Sequence, residues 1–196
     1  MNHYYTDDKE NIKSNEKTIH AIVDGKSYHF LTDHGVFSKA GLDYGTRVLL
    51  QALDHEDKNE SLLDLGCGYG PIGIVLGDRW NIEPDMCDIN GRALDLAKRN
   101  LDKNNLNGHV FKSDGYDRVS GFYDAIVTNP PIRAGKKTIY GWFEKAKAHL
   151  TDEGALYFVI NKKHGAPSAR RFCEKKYDHV DVIAKKSGYY VIKCRN

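Results

Sequence analysis

Three carboxylates, a cluster of glycines and one Asn-Pro-Pro run have the types and spacing to do chemistry. Ser61-Leu62-Leu63-Asp64-Leu65 leads into Gly66-Cys67-Gly68-Tyr69-Gly70-Pro71-Ile72-Gly73. That pattern describes a buried parallel strand, a tight turn and a helix start. Glycine lets a ligand lie against the backbone of the turn, and the amides opening the helix favour an electronegative ligand edge. The spacing Gly66-x-Gly68-x-Gly70, preceded by Asp64, departs from the Gly-x-Gly-x-x-Gly turn that holds a pyrophosphate. A carboxylate at that place opposes an anion and suits a cation or an amine. Asp88 stands 22 residues past Gly66, at the end of a second strand, where an acid can accept both hydroxyls of a ribose. Asp114 ends a third strand and can accept from an adenine amino group. Asn129-Pro130-Pro131 ends a fourth, a carboxamide followed by a loop that proline holds rigid.

These positions need a sheet whose strands all deliver their ends to one crevice. The alternation of apolar runs and helical spacings supplies it. A hairpin (Thr18–Val23 and Ser27–Leu31 around Asp24-Gly25) comes first, then a helix from Arg47 to Leu53 capped from within Asp43–Thr46. Strands at 61–65, 82–88, 109–114 and 123–128 alternate with helices at 70–77 and 90–104. A helix at 139–150, a turn at 151–154, a strand at 155–160 and a helix at 167–176 follow. The chain closes on a hairpin, 179–184 and 189–194. The fold class is therefore α/β: a Rossmann-like, mostly parallel seven-stranded sheet with an antiparallel C-terminal hairpin and a small N-terminal β-hairpin. Residues 1–17 are expected to be flexible, 18–53 to form part of a cover over the site, and 54–196 to be the catalytic domain.

Composition sets outer bounds. The 196 residues are 40% apolar and 29% charged, enough for one real core. No apolar run reaches the length of a membrane span, and the polar, acidic first residues are no signal peptide. Four scattered cysteines and nine histidines show neither zinc nor other metal spacing, so no metal and a reducing cytoplasm are expected. From Lys162 to Asn196, ten Lys/Arg face three acids, a balance that suits either a polyanionic partner or, more commonly for Lys-rich helices, an ordinary solvated surface.

An adenosyl group with a cationic amino-acid tail satisfies Asp64, Asp88 and Asp114 together, and S-adenosylmethionine is such a molecule. A nicotinamide dinucleotide fits less well, because Asp64 opposes its pyrophosphate. Asp64–Gly70 resembles the glycine-rich motif of class I S-adenosylmethionine-dependent methyltransferases. Asn129-Pro130-Pro131-Ile132 resembles the Asn-Pro-Pro-aromatic motif of the branch that methylates amino groups. Together with Gly35-Val36-Phe37-Ser38, Asp43-Tyr44-Gly45-Thr46 and the continuation to Lys136, it resembles small-subunit (16S) ribosomal RNA guanine-N2 methyltransferases.

The resemblance implies a site. Asn129 and Pro130 are the expected catalytic residues, the Asn129 side-chain oxygen and the Pro130 carbonyl each accepting one hydrogen of the target amine. Asp64, Gly66, Cys67, Gly68, Gly70, Asp88, Ile89, Asp114, Gly115, Asn129 and Thr46 are expected to hold the cofactor. Phe37, Pro131, Ile132, Arg133 and Lys136 are expected to meet the substrate, and ribosomal RNA or the small ribosomal subunit is the expected partner. Ile132 stands where the motif has an aromatic that stacks on the base, which leaves Phe37 and Tyr140 as stacking candidates. RNA docking falls to the N-terminal hairpin or to the basic C-terminal third. The same loop would serve a DNA adenine or a protein glutamine, and a non-catalytic RNA-binding module that keeps the cofactor pocket is the alternative of another class.

Overall fold

A computed structural model describes residues 15–33, 41–53 and 60–196. The main sheet has seven strands in the order β5-β4-β3-β6-β7-β9-β8. These are β3 (Leu62–Leu65), β4 (Asp85–Asp88), β5 (His109–Lys112), β6 (Tyr123–Thr128), β7 (Leu150–Asn161), β8 (His179–Lys186) and β9 (Tyr189–Arg195). β3 to β7 pair in parallel, and β9 lies antiparallel between β7 and β8. The order reverses between β3 and β6, so a crevice opens beyond their carboxyl ends.

Strand alternation divides the core. Leu62, Met86 and Val127 face a layer of α1 (Tyr44–Ala52), α2 (Pro71–Trp80) and α3 (Gly91–Lys103), while Leu63, Cys87 and Ile126 face α4 (Lys136–Ala146) and α5 (Ala166–Cys173). Caps start the helices where the site needs them. Gly70, in the left-handed region, precedes Pro71 at the start of α2, and Asn90 caps α3 by accepting from the Arg92 and Ala93 amides. The hairpin β1 (Lys17–Val23) and β2 (Lys26–Thr32) turns through Asp24-Gly25, both at positive φ. Asn100 fastens it to the body: its amide oxygen accepts from Leu31 N, and its Nδ2 donates to the carbonyls of Leu31 and of Tyr69 inside the glycine turn. Asp78 accepts from Lys26 and Tyr28, and Arg79 pairs with Asp24. No helix of the described residues is long and apolar enough to cross a membrane.

Several boundaries differ from expectation. β4 begins at Asp85, because Pro84 cannot donate to the ladder. The expected turn at 151–154 is part of a twelve-residue β7. Its pairing with β6 shifts register between Tyr123 and Ala125, and a Cβ on Gly154 would lie 2.6 Å from the Tyr123 carbonyl oxygen. The four residues expected to turn lie within that shift, unpaired between Leu150 and Ala155, and Gly154 admits their close approach to Tyr123 and Thr151. α4 starts at Lys136, earlier than expected, and α5 ends at Cys173. Lys17, placed in the flexible lead-in, opens β1, and the rest of that lead-in up to residue 14 lies outside the described residues.

Candidate active site

The glycine turn closes on itself through backbone bonds. The Gly66 and Cys67 amides both donate to the Cys87 carbonyl, at 2.8 and 2.9 Å, and the Gly70 amide donates to Cys67 O at 3.0 Å. Gly66, Gly68 and Gly70 have φ of 71°, 58° and 89°, a conformation that side chains resist. A Cβ on Gly68 would meet nothing within 4 Å, so the turn offers bare backbone to open space. Gly73 serves packing: a Cβ there would sit 2.4 Å from Met86 Sδ.

The three acids take different stations. Asp88 ties the turn to β4, its Oδ2 accepting from Gly68 N and its Oδ1 from Asn90 N, both at 2.9 Å. It lines a crevice together with Gly66, Ile89, Asp114 and Gly115, so five of the expected cofactor residues meet in one place. Asp114 is exposed at its rim. Asp64 does not line it. It is wholly buried beneath the turn, where Oδ2 accepts from the Gly73 amide at 2.8 Å and Oδ1 has no partner among the described residues. Burial pushes its carboxyl up to about 7 against the pull of that amide. Burial likewise raises Asp88, opposed by the amides of Asn90, Gly68 and Ile89. Burial holds the Cys67 thiol well above its usual range and pushes the Cys87 thiol up to about 12, so neither supplies a thiolate. Among the described residues, no group of His, Cys, Asp and Glu could hold a metal ion.

Leu65, Cys87, Ser113 and Trp142 also line the crevice. Trp142 has no sequence signal, since it falls on the apolar stripe of α4. A signal exists only in Gly115, whose φ is 55° and whose Cβ would lie 2.7 Å from Trp142 Nε1.

Asn129 follows β6 directly. Its Nδ2 donates to Asp43 Oδ2 at 2.8 Å and to Thr46 Oγ1 at 3.0 Å. Thr46, expected at the cofactor, is buried and turned to Asn129. The same Asp43 Oδ2 accepts from the Thr46 amide at 3.0 Å and so caps α1. Asp43 is the residue that motif reading missed in this role: it stood in the resembling Asp43–Thr46 stretch and as a possible helix cap, without a place in the site. Pro130 is buried, Ile132 is 37% exposed, and Ile132–Ala134 form one turn of 3-10 helix. Lys136 lies over the Tyr140 ring at 5.0 Å. Tyr140 is half-buried, its hydroxyl bonded to Ser168 and its ring packed on Phe143 and Phe172. Phe37, with the rest of Gly35–Ser38, lies outside the described residues.

The methyltransferase small domain family matches residues 27–193. The chain belongs to that family. Among its relatives, the Bacillus subtilis "Uncharacterized protein YbxB" is 40% identical over 100% of this chain and 99% of its own length. "Ribosomal RNA small subunit methyltransferase C" of Haemophilus influenzae is 36% identical over 83% of this chain, which spans only 49% of that protein. A Thermus thermophilus 16S rRNA N2 methyltransferase, solved with AdoMet and guanosine, superposes with a TM-score of 0.83 at 24% identity, over 92% of this chain and half (50%) of that one. The fold is thus the class I methyltransferase fold. The family's cofactor, S-adenosylmethionine, suits this small domain's donor set: bare glycine backbone, Asp88 and Asp114 at the crevice, and a buried acceptor on Asp64 with no partner among the described residues.

Proposed function

We propose that this chain transfers a methyl group from S-adenosylmethionine to an exocyclic amine, N2 of a guanosine in small-subunit ribosomal RNA. The orientation of Asn129 carries the proposal. A carboxylate only accepts hydrogen bonds, so Asp43 must face the NH2 end of the Asn129 amide. Asn129 Oδ1 is then the end left for a substrate donor. The Pro130 carbonyl takes no hydrogen bond from the described residues, and the two proline rings restrict the backbone that carries it. An exocyclic purine amine is a poor nucleophile, because its lone pair is delocalised into the ring. Two fixed acceptors, one per hydrogen, draw the nitrogen towards tetrahedral geometry and aim its lone pair. When bound, S-adenosylmethionine supplies the electrophilic methyl. The methylated nitrogen is acidic and gives its extra proton to solvent, so the chain's own part is orientation and pre-set dipoles, with no strong base required.

Asp88 is the ribose acceptor in this scheme, Asp114 receives the adenine amine, and Gly66, Gly68 and Gly70 leave room for the nucleoside. α1 belongs to the catalytic machinery through Asp43 and Thr46. The hairpin braces the glycine turn through Asn100. The setting is cytoplasmic, where ribosomal RNA is modified. The names of the methyltransferase C relatives and of the Thermus structure support the RNA choice.

The test offers tritiated S-adenosylmethionine with naked ribosomal RNA, assembled small subunits, DNA and protein. Label entering RNA or small subunits supports the proposal; label entering DNA or protein alone replaces it with adenine or glutamine methylation.

A further inference from the structure

We propose that the turn after β7 and the turn between β8 and β9 form one docking surface for the phosphate backbone of a single-stranded stretch of the RNA substrate. This deepens the proposed function and rests on it. β8 runs parallel to β7 across β9, so both strands end at the edge where Asn129 lies. Lys162 and Lys163 follow β7 there, and Lys185 and Lys186 close β8.

The two turns are joined and stiff. The Lys162 amide donates to Gly188 O at 2.7 Å, and Asn161 Oδ1 accepts from the Lys163 amide at 2.9 Å. Ser187 and Gly188, at φ 48° and 82°, make the tight hairpin turn. Ser187 Oγ lies 2.9 Å from the hydroxyl of Tyr44, the residue beside Asp43. The backbone under the lysines is therefore fixed relative to Asn129.

Their charge is uncompensated. Lys185 sits over the Tyr190 ring at 4.9 Å, and Lys186 donates to Gln51 Oε1 at 3.2 Å, both neutral partners. Among the described residues, none of the four lysines has a carboxylate within salt-bridge distance, and residues 161–166 and 184–190 contain no Asp or Glu. Lysines elsewhere do pair, Lys26 with Asp78 and Lys176 with Glu144. The N-terminal hairpin competes poorly for this role, because its cations in the strands are Lys17 and the paired Lys26.

Between the lysines and Asn129 stand two rings. Tyr44 is 40% exposed and meets Tyr189 at 5.6 Å, tilted by 52°. Tyr189 closes on Gly45, where a Cβ would be 3.0 Å from both its ring and Asp43 Oδ2. A strand whose phosphates sit on the lysines meets an aromatic face on the way to the Asn129 acceptors. An unstacked base can lie there, on a ring face that Ile132 does not offer.

Fluorescence anisotropy with a labelled single-stranded, guanosine-containing oligoribonucleotide, titrated across a series of salt concentrations, tests the surface. K162E/K163E and K185E/K186E should each weaken binding on the order of tenfold and reduce the slope of log affinity against log salt by about 1.4. K98E/K103E, on the exposed side of α3, should leave both within about twofold. Calorimetric affinity for S-adenosylmethionine should be unchanged in all three, which also shows that they are folded. Reversal variants that bind as the wild type does, or a control that loses as much, overturn the surface alone. A wild type that binds no RNA overturns the RNA substrate with it.

Discussion

The carboxyl edge of the sheet has two halves of opposite chemistry. At the ends of β3, β4 and β5 lie bare glycine backbone and three acids, one of them buried with an oxygen unpartnered among the described residues. Beyond β6, β7 and β8, residues 129–137, 161–166 and 184–190 hold seven Lys/Arg and no acid. The first half suits a small cationic nucleoside and repels a polyanion; the second does the reverse. Asn129 stands on the border, and Asp43 reaches it from α1. Under the proposed function, this difference would sort cofactor and RNA by sign of charge before any specific contact is made.

Substitutions can break this division one side at a time. Asn129→Ala should lower methyl transfer by about 10²–10³-fold, the scale of losing one pre-set transition-state partner, with cofactor affinity nearly unchanged. Equal losses in turnover and in calorimetric affinity would place Asn129 on the cofactor side. Asp88→Ala should do the opposite, weakening S-adenosylmethionine by roughly 10–100-fold, the scale of a hydrogen bond to a charged group. Asp43→Asn keeps a good helix cap but lets the Asn129 amide turn over. Its kcat should fall roughly tenfold, with melting temperature and KM for cofactor held. If the melting temperature falls instead while kcat stands, Asp43 is only a cap.

The smallest effect concerns pH. The folded protein keeps a proton on Asp64 up to about 7, whereas the unfolded chain releases it near the ordinary 3.8. Stability from this group is therefore fully present below about pH 4 and is lost as pH rises through 7. Asp64→Asn should match the wild type in urea unfolding near pH 4 and exceed it at pH 8, by an amount on the order of a few kcal/mol. Parallel profiles for the two proteins would contradict the buried, protonated carboxyl.

Much of the fold was legible because its signals are local. Asp88, Gly66 and Asn129 each close an apolar run, and alternation of strand and helix puts such ends in one crevice. The Asp43–Asn129 pair was not legible, since the partners are 86 residues apart and no periodicity tells which side chain a cap will face. Trp142 was hidden for a different reason: an aromatic on an apolar helix stripe looks the same whether it meets the core or a ligand. The residues Thr151–Gly154 have turn chemistry, and they pair with neither β6 nor β9: the β6 ladder passes from Leu150 to Ala155, so their irregularity is absorbed inside β7. Asp64 was legible as an acid ahead of the turn. Its burial was not, because full burial of a charged type runs against its preference.

In the proposed reaction, Asn129 and Pro130 present acceptors to an exocyclic guanine amine. Nucleoside mass spectrometry after a single turnover, with methyl-deuterated S-adenosylmethionine and small-subunit ribosomal RNA, reads that reaction most directly. Deuterated methyl is expected on N2 of one guanosine and absent from the Asn129→Ala reaction. Label on adenine N6, on a ring nitrogen or carbon, or undiminished label from Asn129→Ala would contradict it.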